Sequence, residues 1–441
     1  MDWLRARQRL MATACLDAAG LIGLGMAISR LQGLELNPHS IELLLLLVVI
    51  YCSFGWLLGT YTLLKVPRVS WTQSLVRLGG SALASVAAMA LIRDVFRLEI
   101  SSRLIFGSNL LLLFLLLTVW SALIRLLLRH YWRNQPQARW QILALPTELD
   151  EIESEWPSNQ PPDQIMVITN VNQITPFVSA SKSQSLALSC GVIGDRNQQL
   201  LCQNAVDQGI PVNSIVELAE QELQRIPPRW VGNQWILFSN RIDGTHSTVQ
   251  KQLKRYADVL GSISLLILSA PLILVAGLLV KLQDGGPVLY RQQRSGLLGQ
   301  PFQILKIRTM STTAEAGSAQ WARIDDQRIT PIGRWLRKTR LDELPQLLNV
   351  LQGDMSLIGP RPERPEIEKQ LEEIIPNYRL RHWIRPGLSG WAQVNMHYAS
   401  NFREAELKLS YDLYYLRNSN ILLDLLILFK TIKIILKAAG W

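Results

Sequence analysis

VLGSISLLILSAPLILVAGLLV, residues 259–280, is long and apolar enough to cross a bilayer, but its flanks argue against a crossing. Lys251, Lys254 and Arg255 precede it, and Lys281, Arg291 and Arg294 follow it. Cations favour the cytoplasmic side of a membrane, so both ends ask for the same face. Proline inside a helix removes a backbone hydrogen bond and crowds the preceding turn. Pro271, after Ser269, is therefore expected to break the helix and turn it back as a re-entrant hairpin. Ser262, Ser264 and Ser269 offer hydroxyls to the carbonyls such a break frees. The alternative, an ordinary kinked span, would carry everything from Lys281 onward to the opposite face.

The rest of the chain fits a membrane setting. Of 441 residues, 48% are hydrophobic and 18% charged, and the mean hydropathy is +0.13. Four apolar stretches, Leu10 to Ile28, Ile41 to Leu64, Leu75 to Ile92 and Leu104 to Ile124, are each near the ~20 residues that cross a bilayer. The first is not a cleaved signal peptide, because Asp17 interrupts it and three more spans follow. Asp17 is expected to face a neighbouring helix. Arg5, Arg7 and Arg9, then Lys65, Arg68 and Arg77, then Arg125, Arg129 and Arg133 mark the cytoplasmic side. The loop with Arg93, Arg97 and Arg103 dissents, partly offset by Asp94 and Glu99. The formal charge is +10, and thirteen Lys and Arg against six Asp and Glu before residue 139 supply +7 of it. Much of the charge is thus membrane orientation, and with no base-reading motif a nucleic-acid partner is not expected.

A polar segment from about Gln135 to Gln250 reads as a small α/β domain. Gln141–Leu145, Gln164–Ile168 and Leu186–Ile193 are strand-like; Gln199–Gln208 and Val216–Arg225 are helix-like. The first strand leads into Pro146 without a GxGxxG, so a dinucleotide site has no support. Regulatory, docking and spacer roles stay open. Pro227, Pro228 and the run Ser239 to Thr248 read as the exit linker.

Chemistry is expected in the C-terminal third. KTRLDELPQLLNVLQGDMSLIGPRP, residues 338–362, sets Asp342 and Glu343 side by side at what reads as a helix start, with Asp342 as N-cap and Pro345 in the first turn. Such a helix end stabilises a carboxylate and also meets an incoming phosphate. Gly285, Gly286 and Pro287 form a turn. Lys306 and Arg308 share one face of a strand. Arg361 lies between two prolines, and Arg379, Arg381 and Arg385 follow; a diphosphate needs such compensation. Residues 421–441 read as an amphipathic interfacial helix with Lys430, Lys433 and Lys437 as its basic stripe and Trp441 at the interface. Four cysteines without CxxC spacing, and only His382 and His397 among the C-terminal motifs, give no reason to expect zinc.

From about Lys254 to Trp441 the chain resembles the bacterial sugar transferase family of polyprenyl-phosphate hexose-1-phosphate transferases. The motifs that carry the likeness are KRYADVLG, GGPVLYRQQRSG, FQILKIRTM, DDQRITPIGRWLRKTRLDELPQLLNVLQGDMSLIGPRPERPE, IPNYRLRHWIRPGLSGWAQVN and YDLYYLRN. The four spans and the intervening domain resemble the family's long form. The resemblance implies a four-helix transmembrane region over residues 1–134 and a cytoplasmic α/β domain over 135–250. It further implies a mainly α monotopic phosphoglycosyl transferase domain over 251–441, on the cytoplasmic face of the inner membrane. The implied activity is transfer of a sugar 1-phosphate from a UDP-sugar to undecaprenyl phosphate, with UMP released, Mg²⁺ as cofactor and exopolysaccharide or a related glycan begun. Asp342 would be the nucleophile of a covalent phosphosugar intermediate, and Glu343 its partner in metal binding or acid-base support. Lys306 and Arg361 would complete the catalytic set. Arg294, Arg308, Arg379, Arg381, Arg385 and Gln393 would bind substrate, and Ser269 with Pro271 would form the membrane kink. After Asn395 the chain departs from the commonest family wording with Met396, His397 and Tyr398, and the motifs do not name the sugar. A one-step transferase and a non-enzymatic scaffold of polysaccharide assembly are the alternatives. A homodimer through the N-terminal or middle domain is a further expectation, and membrane lipids are expected partners.

Overall fold

The computed structural model describes residues 8–31, 33, 38–61, 71–96, 108–133, 139–156, 165–168, 184–194, 206–207, 211–232, 248–311, 328–396 and 401–436. Outside them lie Arg5, Arg7, Lys65, Arg68, Arg97 and Arg103, most of Gln199–Gln208, residues 239–247, His397, and the last five residues with Lys437 and Trp441. The chain divides into two compact units, Met1–Gln137 and Ala138–Trp441.

The first unit is a bundle of α1 (Gln8–Leu31), α2 (Pro38–Leu58), α3 (Trp71–Phe96) and α4 (Ser108–Arg133). Each contains a stretch long and apolar enough to cross a membrane. Leu21, Leu47, Met89, Leu113 and Leu117 meet inside, while Val76, Leu83 and Leu115 point outward. An apolar exterior is what lipid requires. The second helix ends at Leu58, short of the expected Leu64, because Gly59 takes φ 77°, a left-handed stop. Asp17 does face a neighbouring helix: Ser121 Oγ donates to Oδ1 at 2.6 Å, and Arg125 Nη2 to Oδ2 at 2.9 Å. Arg125 is therefore not a cytoplasmic flank as expected. It is buried as the counter-charge that an intramembrane carboxylate needs.

The second unit begins with a parallel sheet in the order β2-β1-β3-β4. Its strands are β1 (Arg139–Leu143), β2 (Ile165–Ile168), β3 (Gln184–Leu188) and β4 (Val212–Ser214), with α5 (Leu149–Glu155), α6 (Cys190–Gly194) and α7 (Ile215–Glu222). The third expected strand stops at Leu188, and Cys190–Gly194 is helical because the Ser189 hydroxyl accepts from the Val192 amide and starts a helix there. β4, three residues long, is too short to show a period. Ser214 and Glu217 cap α7 reciprocally. Pro227 and Pro228 are not an exit linker. Ile226, Pro228 and Trp230 are buried, Trp230 stacks on Trp156, and the Ile226 amide donates to the Ser410 carbonyl at 2.9 Å. Apolar side chains this dense make the segment a strap on the C-terminal region.

That region is mainly helical. It comprises α8 (Thr248–Asp284), the hairpin β5 (Leu289–Ser295) and β6 (Pro301–Ile307), α9 (Pro331–Thr339), α10 (Leu347–Gln352), β7 (Ser356–Ile358) and α11 (Pro365–Ile374). β8 (Gly387–Ser389), α12 (Trp391–Asn395), α13 (Phe402–Asn418) and α14 (Ile421–Leu436) complete it. α8 does not end at Pro271; helical conformation continues to Asp284. Proline costs only the bond to Ile267, and Ser269 Oγ donates back to the Leu265 carbonyl at 2.6 Å, a bond that bends helices rather than ending them. Both ends of α8 hold the same domain. Arg255 donates to the carbonyls of Val350 and Leu351, and Lys254 pairs with Asp424 of α14 at 2.6 Å. Ala276 and Val280 pack with Ile307 and Leu336. Between them Ile267, Leu268, Leu272 and Leu274 stand exposed. α14 adds Leu422, Leu425, Phe429 and Ile432 to the exposed apolar surface. Its Lys430 is not a free basic stripe, since it bonds Asn395 Oδ1 at 2.6 Å and lies over the Trp391 ring.

Candidate active site

α9 stops at Arg340, whose backbone is left-handed with φ 59°, and the chain enters a 3-10 turn, Leu341–Gln346. A left-handed arginine costs of order 1 kcal/mol or more and is held by its surroundings. Asp342 is therefore not an N-cap; it is the second residue of the turn, aimed inward. Asp342 and Glu343 are 6% and 8% exposed. On α10, which follows the turn directly, the Asn349 side chain ties the helix to β6, accepting from the Leu305 amide at 3.1 Å and donating to the Gln303 carbonyl at 2.8 Å.

The two carboxylates have opposite environments. Glu343 receives both Arg361 guanidinium nitrogens, with Lys306 Nζ at 3.5 Å and Arg340 Nη1 at 3.4 Å. Burial works against its charge, but Arg361 and Lys306 hold it well below the ordinary glutamate range. Among the described residues Asp342 Oδ1 is buried with no hydrogen-bond partner. Burial and the neighbouring Glu343 push Asp342 above the ordinary aspartate range. Burial also lowers Lys306 to about 8, with Glu343 opposing. One carboxylate is thus a locked anchor, and the other a poised oxygen beside cations.

Arg361 sits on the loop that leaves β7. Four consecutive carbonyls of this loop accept bonds: Pro360 from the Gly387 amide at 2.8 Å, Arg361 from Arg381 Nη2 at 2.7 Å, Pro362 from Arg294 at 3.3 Å and Glu363 from the Ser295 amide at 3.1 Å. Two prolines remove donors from the loop, so its carbonyls do the anchoring. β7 and β8 run so close that a Cβ on Gly387 would lie 2.0 Å from the Gly359 nitrogen, which only glycine permits.

The structure therefore brings together Asp342, Glu343, Lys306 and Arg361. Arg294 stands behind the loop, pairing with Glu363 at 3.6 Å. Other expected substrate-binding residues face elsewhere. Arg308 forms a two-pronged pair with Asp284 and locks the end of α8. Arg379 is 83% exposed and pairs with Glu372. Arg381 is buried among Asp412, Tyr378 and the Arg361 carbonyl. Arg385 is exposed without an ion pair among the described residues. Gln393 donates to the Leu388 carbonyl, and its buried Oε1 has no partner among the described residues. Arg340 escaped the sequence reading, although it stands two residues before the pair. Its left-handed backbone has no sequence signal in a non-glycine residue.

A family model for bacterial sugar transferases matches residues 249–438. An Aeromonas hydrophila UDP-N-acetylgalactosamine-undecaprenyl-phosphate N-acetylgalactosaminephosphotransferase is 44% identical over 194 residues, 44% of this chain and 46% of that protein. An Escherichia coli UDP-glucose:undecaprenyl-phosphate glucose-1-phosphate transferase is 38% identical over 188 residues, 42% of this chain and 40% of the relative. The match thus spans less than half the length of these two relatives. It spans 89% of a Bacillus subtilis protein named as an uncharacterized sugar transferase, at 41% identity over 192 residues. With five helices of membrane-crossing length among the described residues, and basic flanks, the chain is a protein of the bacterial cytoplasmic membrane whose C-terminal region faces the cytoplasm. A matched region that contains the whole carboxylate site and extends over nearly all of a relative makes this chain a member of the bacterial sugar transferase family.

Proposed function

We propose that this chain transfers a sugar 1-phosphate from a UDP-sugar to undecaprenyl phosphate through a phosphosugar held on Asp342, starting a surface glycan. The names of the relatives supply the donor and acceptor classes. The observation that carries the mechanism is the split of the carboxylate pair, with Asp342 Oδ1 unpartnered and Glu343 saturated by cations. Asp342 attacks the sugar-bearing phosphorus, the bridging P–O bond breaks, and UMP leaves with that electron pair. The phosphate oxygen of the lipid then attacks the same phosphorus, releasing the aspartate carboxylate and forming a lipid diphosphate sugar. Two steps let one site receive a soluble nucleotide and a lipid in turn.

The residues fit Mg²⁺. Asp342 offers an unpartnered hard oxygen, and a few carboxylates plus substrate phosphates suffice for this ion, so a group of three acidic or histidine ligands, absent among the described residues, is not required. Asp342 would hold it, with Glu343 alongside, and the ion would offset diphosphate charge. Purified protein with a panel of UDP-sugars, Mg²⁺ and undecaprenyl phosphate tests the proposal. UMP and lipid diphosphate sugar are expected with at least one donor; no turnover across the panel would reject it.

Lys306 gives the reaction an alkaline limit. It acts protonated, so kcat/KM falls as pH rises through about 8, where Lys306 loses its proton. K306R stays charged and moves the limb upward; an unmoved limb would assign it to another group.

Re-entrant placement is supported by the two ends of α8 gripping one domain while its middle is apolar and exposed. Single cysteines at Lys251 and Arg291 should therefore both label from the cytoplasmic side of oriented vesicles. Labelling from opposite sides would establish a crossing. P271A restores the missing backbone bond and should shift part of the population toward one.

A further inference from the structure

The loop carrying Arg361 is held from behind by a charged array. The Arg381 side chain is 3% exposed. It donates to the Arg361 carbonyl at 2.7 Å and the Tyr378 hydroxyl at 2.7 Å, and it meets Asp412 Oδ2 of α13 at 3.0 Å. One turn earlier on α13, Lys408 pairs with Glu363, two residues beyond Arg361. Burial works against the charges of Glu363 and Arg381, but Lys408 draws Glu363 down to about 2, and Tyr378, Asp412 and Glu363 raise Arg381. Among the described residues the bonds of this array do not include the carboxylate pair. Its reach ends at the backbone of the residue that grips Glu343.

The same two elements are clasped by the middle domain. The Ile226 amide bonds the carbonyl of Ser410, which lies between Lys408 and Asp412, and Arg229 pairs with Glu406 at 2.7 Å. Asn377 begins the 3-10 turn that carries Tyr378 and Arg381, and its Nδ2 donates to the carbonyls of Pro228 at 3.0 Å and Val231 at 2.9 Å. The strap thus touches both sources of the array.

The geometry points to Arg381, fixed by Asp412 and Tyr378, as a positioning residue for Arg361, and to the strap Gln224–Val231 as the brace that keeps this array in register. The inference rests on the reading of Arg361 and Glu343 as parts of the transferase site. It assigns the middle domain a mechanical role in catalysis. Lysine has no equivalent of a guanidinium that donates to the Arg361 carbonyl and the Tyr378 hydroxyl through separate nitrogens while facing the Asp412 carboxylate.

Full-length R381K, D412N and N377D in nanodiscs test it, read by UMP release, amide exchange of residues 358–364 and 406–412, and melting temperature. Asp keeps the left-handed tolerance of Asn377 but turns a donor to two carbonyls into an acceptor. R381K and D412N should lower kcat about 10-fold while KM for the UDP-sugar stays within about 2-fold, with faster exchange at 358–364. N377D should speed exchange in both segments and lower kcat about 3-fold. Wild-type kcat and exchange in R381K would overturn the positioning role. So would a loss that appears only near a reduced melting temperature. Faster exchange at 406–412 alone in N377D would remove the brace. If wild-type protein used no UDP-sugar, the transferase reading would fall, while exchange at 358–364 in R381K would still decide the array.

Discussion

D342N should retain its fold and lose transfer by a factor on the order of 10⁴ or more, as expected for removal of a covalent nucleophile. The carboxylate that becomes an amide makes no ion pair, and its Oδ1 bonds nothing among the described residues. The substitution also removes a buried carboxyl whose ionised form is disfavoured by burial and by Glu343. Stability is therefore expected to hold or rise, and a folding defect cannot stand in for a chemical one. Intact-protein mass gives the direct readout. With UDP-sugar and Mg²⁺ but no lipid, wild-type protein should gain one phosphosugar and lose it when undecaprenyl phosphate is added. D342N should do neither. Full activity in D342N would reject the nucleophile, whereas lipid-dependent UMP release with no adduct would favour direct transfer.

The sequence carried more of this site than of its supports. Asp342, Glu343, Lys306 and Arg361 were legible because hard charges recur in an apolar, proline-marked setting, and the structure brings all four together. Arg308 and Arg381 carry the same charge and were read the same way, yet they anchor Asp284 and the Arg361 backbone. Side-chain type states what a residue can bind, and only packing states which partner is within reach. The four N-terminal helices followed from length and hydropathy, but the pairing of Asp17 with Arg125 joins positions 108 residues apart. Pro227 and Pro228 read as a linker because proline signals a turn from either an exposed or a buried backbone. Trp230, buried against Trp156, was the available clue.

E343Q should be impaired for a different reason, and in stability as well as rate. Glu343 is the only carboxylate found against Lys306, Arg340 and Arg361 together among the described ion pairs. Removing its charge leaves three cations facing one another in a buried site, where breaking one partner of such a pair costs about 3–5 kcal/mol. For a unit of this size that lowers the melting temperature by roughly 5–8 °C. Rate should fall with it, because Arg361 and Lys306 lose the carboxylate that holds them beside the site. The double variant E343Q/R361Q separates these effects. Removing one surplus cation should recover part of the lost stability, since the repulsion is relieved. It should recover no transfer, because the phosphate loses a cation and the anchor stays absent. Recovery of transfer together with stability would mean that Glu343 serves only to balance charge. A melting temperature unchanged in E343Q would show that the cluster is wetter than its burial indicates.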